Sequence, residues 1–228
     1  MIHEDCELSG NTAENSNAKS MIDYSLYLIV DHTQLNTLQE VLDQGVTCVQ
    51  LRMKNQPLET ILSVAKQLQL LLKPRNIPLI INDHIAVAKA IDADGVHIGQ
   101  QDQSYAWARQ QLGYQKIIGV SIQNIQQAER CQSFDCDYFG VGPIFATTTK
   151  TDASPPIGIE SLKTITTLLP KPIVAIGGIN ADNIHPILTT PVAGIALAAA
   201  VFSAHSPQQM TQHLSQLISR SLSYAKQY

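Results

Sequence analysis

No apolar run in this 228-residue sequence approaches the roughly 18 to 20 residues that a helix needs to cross a bilayer, so a soluble protein with no membrane partner is expected. Positive charge is not in excess either. Fifteen Lys and Arg against 19 Asp and Glu give a formal net charge of −4, which leaves no general basic surface for a nucleic-acid backbone. Anionic ligands must then be met by local features. Cysteine is sparse: Cys6, Cys48, Cys131 and Cys136 form no CxxC pair, and in a chain of this size they do not resemble a disulfide framework. A reducing cytoplasm is the expected location. The first twenty residues, MIHEDCELSGNTAENSNAKS, lack the basic start and apolar stretch of a signal peptide and read as a disordered tail. His84 and His97 stand in no HxxxH or HExxH pattern that would support zinc, and both read as satisfied structural histidines.

What is present is repetition. With 44% hydrophobic content the chain can bury a large core, and short apolar runs alternate with helical periodicity along its length. The runs are 24 to 30 (YSLYLIV), 46 to 52 (VTCVQLR), 78 to 83 (PLIIND), 94 to 99 (DGVHIG), 116 to 121 (KIIGVS), 137 to 144 (DYFGVGPI), 172 to 178 (PIVAIGG) and 194 to 198 (GIALA). Helical stretches are predicted around 34 to 44, 58 to 72, 86 to 91, 105 to 112, 125 to 131, 159 to 169, 182 to 188 and 207 to 224. Eight strand-then-helix units of about 25 residues predict a (β/α)8 TIM barrel spanning 21 to 228 as a single domain. Near-continuous apolar strands suit a parallel sheet covered on both sides. A doubly wound open sheet is the alternative, although no GxGxxG follows the first strand.

In such a barrel the C-terminal strand ends share one face, and here polar residues gather at those ends. Asp83 follows the third run and Asp102 the fourth, so the two carboxylates can converge on one magnesium ion, or each can cap the helix that follows it. Gln50, Arg52, Lys54, Asn82 and Ser121 occupy neighbouring ends and suit a phosphate-rich ligand. Gly177, Gly178 and the Ala198–Ala200 run close the last two strands, where backbone N–H groups meet phosphate in barrels of this kind; a tight turn and packing is the other explanation. The polar loop from 146 to 158 reads as a mobile cover or a plain surface loop, with Thr147 and Thr149 as phosphate donors and Lys150 reaching toward a leaving group. Cys48 is expected to pack inside the second strand.

Several of these segments, taken in order, resemble the thiamine-phosphate synthase (thiamine-phosphate pyrophosphorylase) family: QLRMK at 50 to 54, IIND at 80 to 83, ADGVHIGQQD at 93 to 102, GVS at 119 to 121, GPIFATTTKTDA at 142 to 153 and VAIGGI at 174 to 179. The resemblance covers roughly 22 to 224. It implies a magnesium-dependent transferase of thiamine diphosphate biosynthesis, with small phosphorylated pyrimidine and thiazole substrates as its partners. It further implies that Gln50, Arg52, Lys54, Asn82, Ser121 and Lys150 hold a pyrimidine pyrophosphate, that Lys54, Ser121 and Lys150 act on the leaving group, and that Asp83 and Asp102 hold Mg2+. The thiazole phosphate would lie against Thr147, Thr149, Gly178, Ala198 and Ala199. Ala198 and Ala199 depart from the family's usual valine–serine pair, which removes one hydroxyl donor. A thiazole tautomerase and a non-catalytic thiazole phosphate sensor share this fold but dispense with a pyrophosphate and metal site. A phosphosugar isomerase or aldolase would require a base or Schiff-base pattern that is not obvious here.

Overall fold

The computed structural model describes residues 22–100, 104–147 and 154–225. Eight parallel strands close on themselves: β1 (Leu26–Val30), β2 (Cys48–Leu51), β3 (Leu79–Asn82), β4 (Gly95–Ile98), β5 (Ile117–Ile122), β6 (Tyr138–Val141), β7 (Ile173–Ile176) and β8 (Gly194–Leu197). Closure is made where β1 pairs with β8, Leu26 opposite Ile195 and Leu28 opposite Leu197. This settles the barrel against the open doubly wound sheet, whose first and last strands would not meet. Between the strands lie α1 (Leu35–Val41), α2 (Leu58–Leu72), α3 (Ile85–Ala90), α4 (Tyr105–Leu112), α5 (Ile125–Cys131), α6 (Gly158–Leu168) and α7 (His185–Leu188). A short α8 (Ala199–Phe202) follows β8, and α9 (Pro207–Ala225) packs against α1.

Period-two alternation explains why the strands read as continuous apolar runs. Along β1, Leu26, Leu28 and Val30 face the surrounding helices, whereas Tyr27 and Ile29 face the barrel interior. Both sides are covered, so neither set is polar by default. The helices supply the outer cover through apolar stripes. On α2 the stripe is Ile61, Val64, Ala65, Leu68 and Leu72, spaced to lie on one face, and each Ile, Val or Leu of it stabilises the fold by roughly 1.5 to 3 kcal/mol on full burial. Just past α2, Asn76 takes a left-handed conformation (φ 55°) and turns the chain toward β3.

Most expected strands come out shorter, the sixth as Tyr138–Val141 against 137 to 144, and so do two expected helices. Around 34 to 44 only Leu35–Val41 is α-helical, with a turn of 3₁₀ helix at each end, and the predicted 182 to 188 helix contracts to His185–Leu188. There Asn180 and Asn183 bind local backbone, Asn180 accepting from Asp182 N, which competes with helix at 180 to 184. The first strand begins at Leu26, because the Ser25 N–H donates to the Asp23 carboxylate. Among the described residues no helix is long and apolar enough to cross a membrane.

The N-terminal ends of the strands are tied by one recurring device. The residue before an even-numbered strand accepts a hydrogen bond from the preceding strand: Leu26 N–H to Thr47 Oγ1 (3.0 Å), Leu79 N–H to Asp94 Oδ2 (2.8 Å) and Ile118 N–H to Asp137 Oδ2 (2.7 Å). Arg109 completes the last of these. Its buried guanidinium donates to Asp137 and to the carbonyls of Gly113, Lys116 and Asp135. This end is built for stability.

Candidate active site

At the opposite, C-terminal end of the barrel a cavity of about 160 Å³ opens to solvent. Its walls take residues from successive strand ends: Arg52 and Lys54 after β2, Asn82 and Asp83 at β3, Ser121 and Gln123 at β5, Thr147 beyond β6, Gly177 and Gly178 after β7, and Ala198 after β8. Geometry, and not sequence proximity, brings them together. Asn82 is buried, Arg52, Asp83 and Ser121 are half-buried and Lys54 is exposed, so cationic donors rim a polar interior. Such a set favours an anionic ligand.

Asp83 is held in a conformation that L-residues seldom adopt, with φ 62°. Its N–H donates to the His97 carbonyl at 2.8 Å, and His84 N–H reaches back to the Asn82 carbonyl at 2.8 Å, so the chain turns sharply out of β3. Aspartate tolerates this backbone better than most residues, and such outliers concentrate at functional sites. The residue at the start of α3 is His84, not Asp83, and the His84 side chain makes no capping hydrogen bond. Asp102 lies outside the described residues, and Ser104 is the residue that caps α4, its Oγ accepting from Trp107 N–H.

The donor chemistry here fits magnesium. That ion keeps several waters and binds through one or two carboxylates plus ligand phosphate, so it requires no cage of protein groups. Asp83 supplies a carboxylate on the cavity wall beside the Asn82 amide, and among the described residues no cluster of three or more His, Cys, Asp or Glu side chains stands here or elsewhere.

Across the cavity the backbone provides the donors. Gly177 and Gly178 both adopt left-handed conformations (φ 100° and 67°). Side chains would also collide there, since a Cβ on Gly178 would lie 2.8 Å from the Phe145 carbonyl carbon. The loop after β6 is zipped to this turn by Ile144 N–H to Ile176 O and Phe145 N–H to Gly177 O. Asn183 Nδ2 donates to the Gly178 carbonyl at 2.8 Å and holds the turn from behind. Among the described residues, the N–H groups of Gly178, Ala198 and Ala199 donate to no backbone carbonyl. Ala198 lines the cavity, whereas Ala199 is exposed at its edge as the first residue of α8. Thr149 and Lys150 lie outside the described residues; Thr147, beside them, lines the cavity.

Gln50 sits lower. It is buried, faces the barrel interior and lines a second space of about 40 Å³ that shares Asn82, Ser121 and Gln123 with the main cavity. Tyr27, His97 and Tyr138 line that floor, and none of them stood out as a ligand-site residue in the sequence. Gln123 and Ser154 were missed as well; Ser154 Oγ donates to Gln123 Oε1 at 3.0 Å. The available signal was alternation. Gly119, Ser121 and Gln123 are spaced by two, as are Gly95 and His97, so a polar residue in register with a known inward position also points inward.

Among the described residues no cysteine lines the cavity. Cys48, Cys131 and Cys136 are free and buried, and Cys48 packs within β2 facing the barrel interior. Burial, reinforced by the nearby Asp137 carboxylate, pushes the Cys136 thiol up to about 12. Cys48 moves in the same direction, again mainly through burial.

Comparison with known proteins gives one consistent result. Residues 26–201 match the family model described as thiamine monophosphate synthase. The thiamine-phosphate synthase of Vibrio campbellii is 42% identical over 196 residues, covering 84% of this chain and 96% of that protein. That of Clostridium novyi is 39% identical over 202 residues, covering 86% and 99%. Among solved structures, the thiamine phosphate pyrophosphorylase from Pyrococcus furiosus superposes with a TM-score of 0.80 at 33% identity, covering 88% of this chain and 98% of that one.

Proposed function

Because the chain belongs to the thiamine monophosphate synthase family, a family of transferases, we propose that it couples 4-amino-5-hydroxymethyl-2-methylpyrimidine pyrophosphate with hydroxyethylthiazole phosphate in a magnesium-dependent reaction. The products are thiamine phosphate and pyrophosphate. A single observation carries this reading: one cavity is bordered on one side by Arg52, Lys54, Asn82, Asp83 and Ser121, and on the other by Thr147, Gly178 and Ala198. Two anionic groups can be held apart there while the uncharged parts of their carriers meet between them.

In this reading the bond between the pyrimidine methylene and the pyrophosphate oxygen breaks, its electron pair leaves with pyrophosphate, and the thiazole nitrogen bonds to the methylene. The electron-rich aminopyrimidine supports the cationic carbon. The protein's task is to stabilise charge that accumulates on the departing group. Arg52 and Lys54 balance that charge from the rim, Ser121 donates from the β5 end, and Lys150 adds a further cation. Held by Asp83 and Asp102, magnesium would supply additional neutralisation of the pyrophosphate oxygens. Gln50 and Asn82 present amides at the cavity floor for the pyrimidine pyrophosphate. The thiazole phosphate rests on the N–H groups of Gly178, Ala198 and Ala199 and on the hydroxyls of Thr147 and Thr149. No covalent bond to the protein forms, in keeping with the raised, buried thiols. A cytoplasmic place of action belongs to the same reading.

The test is incubation of the purified protein with both phosphorylated halves, with and without magnesium, and detection of thiamine phosphate and pyrophosphate. Product is expected only when both halves and magnesium are present. Absence of product under those conditions would overturn the reading, and product in the presence of excess chelator would remove the metal from it.

A further inference from the structure

Beneath the cavity an unbroken line of hydrogen bonds runs through the barrel interior. Gln50 Nε2 donates to Tyr27 Oη at 3.0 Å, Tyr27 Oη and Tyr138 Oη lie 2.9 Å apart, Tyr138 Oη is 2.9 Å from His97 Nδ1, and His97 Nε2 is 2.8 Å from Ser121 Oγ. The line joins five strands and ends at a residue of the cavity wall. Tyr27 and Tyr138 are each 1% exposed and Gln50 is 3% exposed, so this part of the line is shielded from bulk solvent. The rings are also fixed in place. Tyr138 stacks at a tilt on Tyr24, with centroids 4.7 Å apart, and lies edge-on to Tyr27. Glycine makes the space: a Cβ on Gly119 would strike the Tyr138 ring, and one on Gly140 would stand 2.8 Å from His97 Cε1. A layer of Leu and Val would fill this volume without having to satisfy any polar group. A buried polar network is costly unless every member is paired, so its completeness asks for a reason beyond packing.

Proton bookkeeping gives the line a direction. Each phenol has one proton, and a buried O–H without an acceptor is expensive. With the Gln50 amide donating to Tyr27, the arrangement that keeps both phenol protons within the line sends that of Tyr27 to Tyr138 and that of Tyr138 to His97 Nδ1. Nδ1 is then the acceptor nitrogen, which leaves the imidazole proton on Nε2, facing Ser121 Oγ. We propose that His97 is a positioning residue: the chain Gln50–Tyr27–Tyr138–His97 locks its imidazole in the Nε2–H tautomer, so that Ser121 accepts from it and turns its own hydroxyl proton into the cavity. The inference rests on the reading of Ser121 as a donor to departing pyrophosphate. Reversed polarity would aim a serine lone pair at that anion.

Two measurements test this, and the first requires no substrate. Ring-nitrogen NMR of the ligand-free, 15N-labelled wild-type protein should show His97 with Nδ1 unprotonated and Nε2 protonated; a proton on Nδ1 overturns the proposal whatever reaction the protein performs. The second is kinetic. Tyr138→Phe removes the donor that selects the tautomer and should lower kcat about ten-fold, less than the roughly 10²- to 10³-fold loss when a transition-state donor is deleted outright, with the KM for the thiazole phosphate unchanged. His97→Gln, which keeps an N–H near the Nε2 position, should retain more turnover than His97→Leu. Unchanged kcat in Tyr138→Phe, or equal losses in the two His97 variants, also overturns it. If the wild-type protein makes no thiamine phosphate, it is the proposed function that fails, while the tautomer measurement still decides the network.

Discussion

The two ends of the barrel use carboxylates in opposite ways. At the N-terminal end Asp94 and Asp137 are spent on backbone, each accepting a strand N–H at 2.8 and 2.7 Å, and Asp137 is further paired with a buried arginine. At the C-terminal end Asp83 is placed by its backbone instead: its N–H is used, its φ is 62°, and its side chain stands on the wall of a cavity rimmed by Arg52 and Lys54. The same residue type therefore acts as structure at one end and as a cavity-facing group at the other. What separates the roles is whether a neighbouring strand start presents an unsatisfied N–H to the carboxylate.

Removing the charge at the C-terminal end should sharpen the contrast most. Asp83→Asn keeps a residue that tolerates the left-handed backbone and removes the negative charge. Turnover is expected to fall at least about 100-fold, with stability within about 0.5 kcal/mol of the parent. Magnesium-dependent rates measured beside thermal unfolding check this, and a variant with parental turnover would take Asp83 out of the reacting site. The converse change belongs at the other end. Arg109→Ala strips the Asp137 carboxylate of its buried cation while leaving it the Ile118 N–H, so a loss of about 2 to 3 kcal/mol is expected. For a chain of this length that is a fall in Tm of roughly 4 to 12 °C, with kcat at 25 °C unchanged. A matching collapse of kcat in the folded variant would mean that the two ends are coupled. The smallest effect is expected at the cavity edge. Ala199→Ser adds a hydroxyl beside N–H groups already offered to the thiazole phosphate, so about 1 kcal/mol, or roughly a five-fold lower KM for that substrate, is expected. A change confined to the pyrimidine KM would place the thiazole phosphate elsewhere.

Legibility followed the same division. Strand positions were readable because each strand is buried on both faces, which makes short apolar runs such as LIIN and YFGV stand out from helical periodicity. Cavity residues were readable where such a run breaks into polar residues, as at Asn82 and Asp83, or into glycines, as at Gly177 and Gly178. His97 is the satisfied histidine that the sequence suggested, but its partners were not legible. In sequence it is one polar residue inside GVHI, and only its two neighbours across the barrel, Tyr138 and Ser121, reveal a buried histidine with both ring nitrogens engaged. Arg109 gave no warning either, since it stands in the polar helix YAWARQQL and is buried by what the β6 end places beside it.

By itself the sequence determined the order of strands and helices and the points where polar groups end an apolar run, because both depend on residues a few positions apart. The tertiary structure alone decided that β1 and β8 meet, that Asp83 turns at positive φ, and that Gln50, Tyr27, Tyr138, His97 and Ser121 form one line of hydrogen bonds. These are products of closure. Tyr27 and Tyr138 are 111 positions apart, and no local pattern can report a contact that exists only once eight strands have been drawn around a common axis.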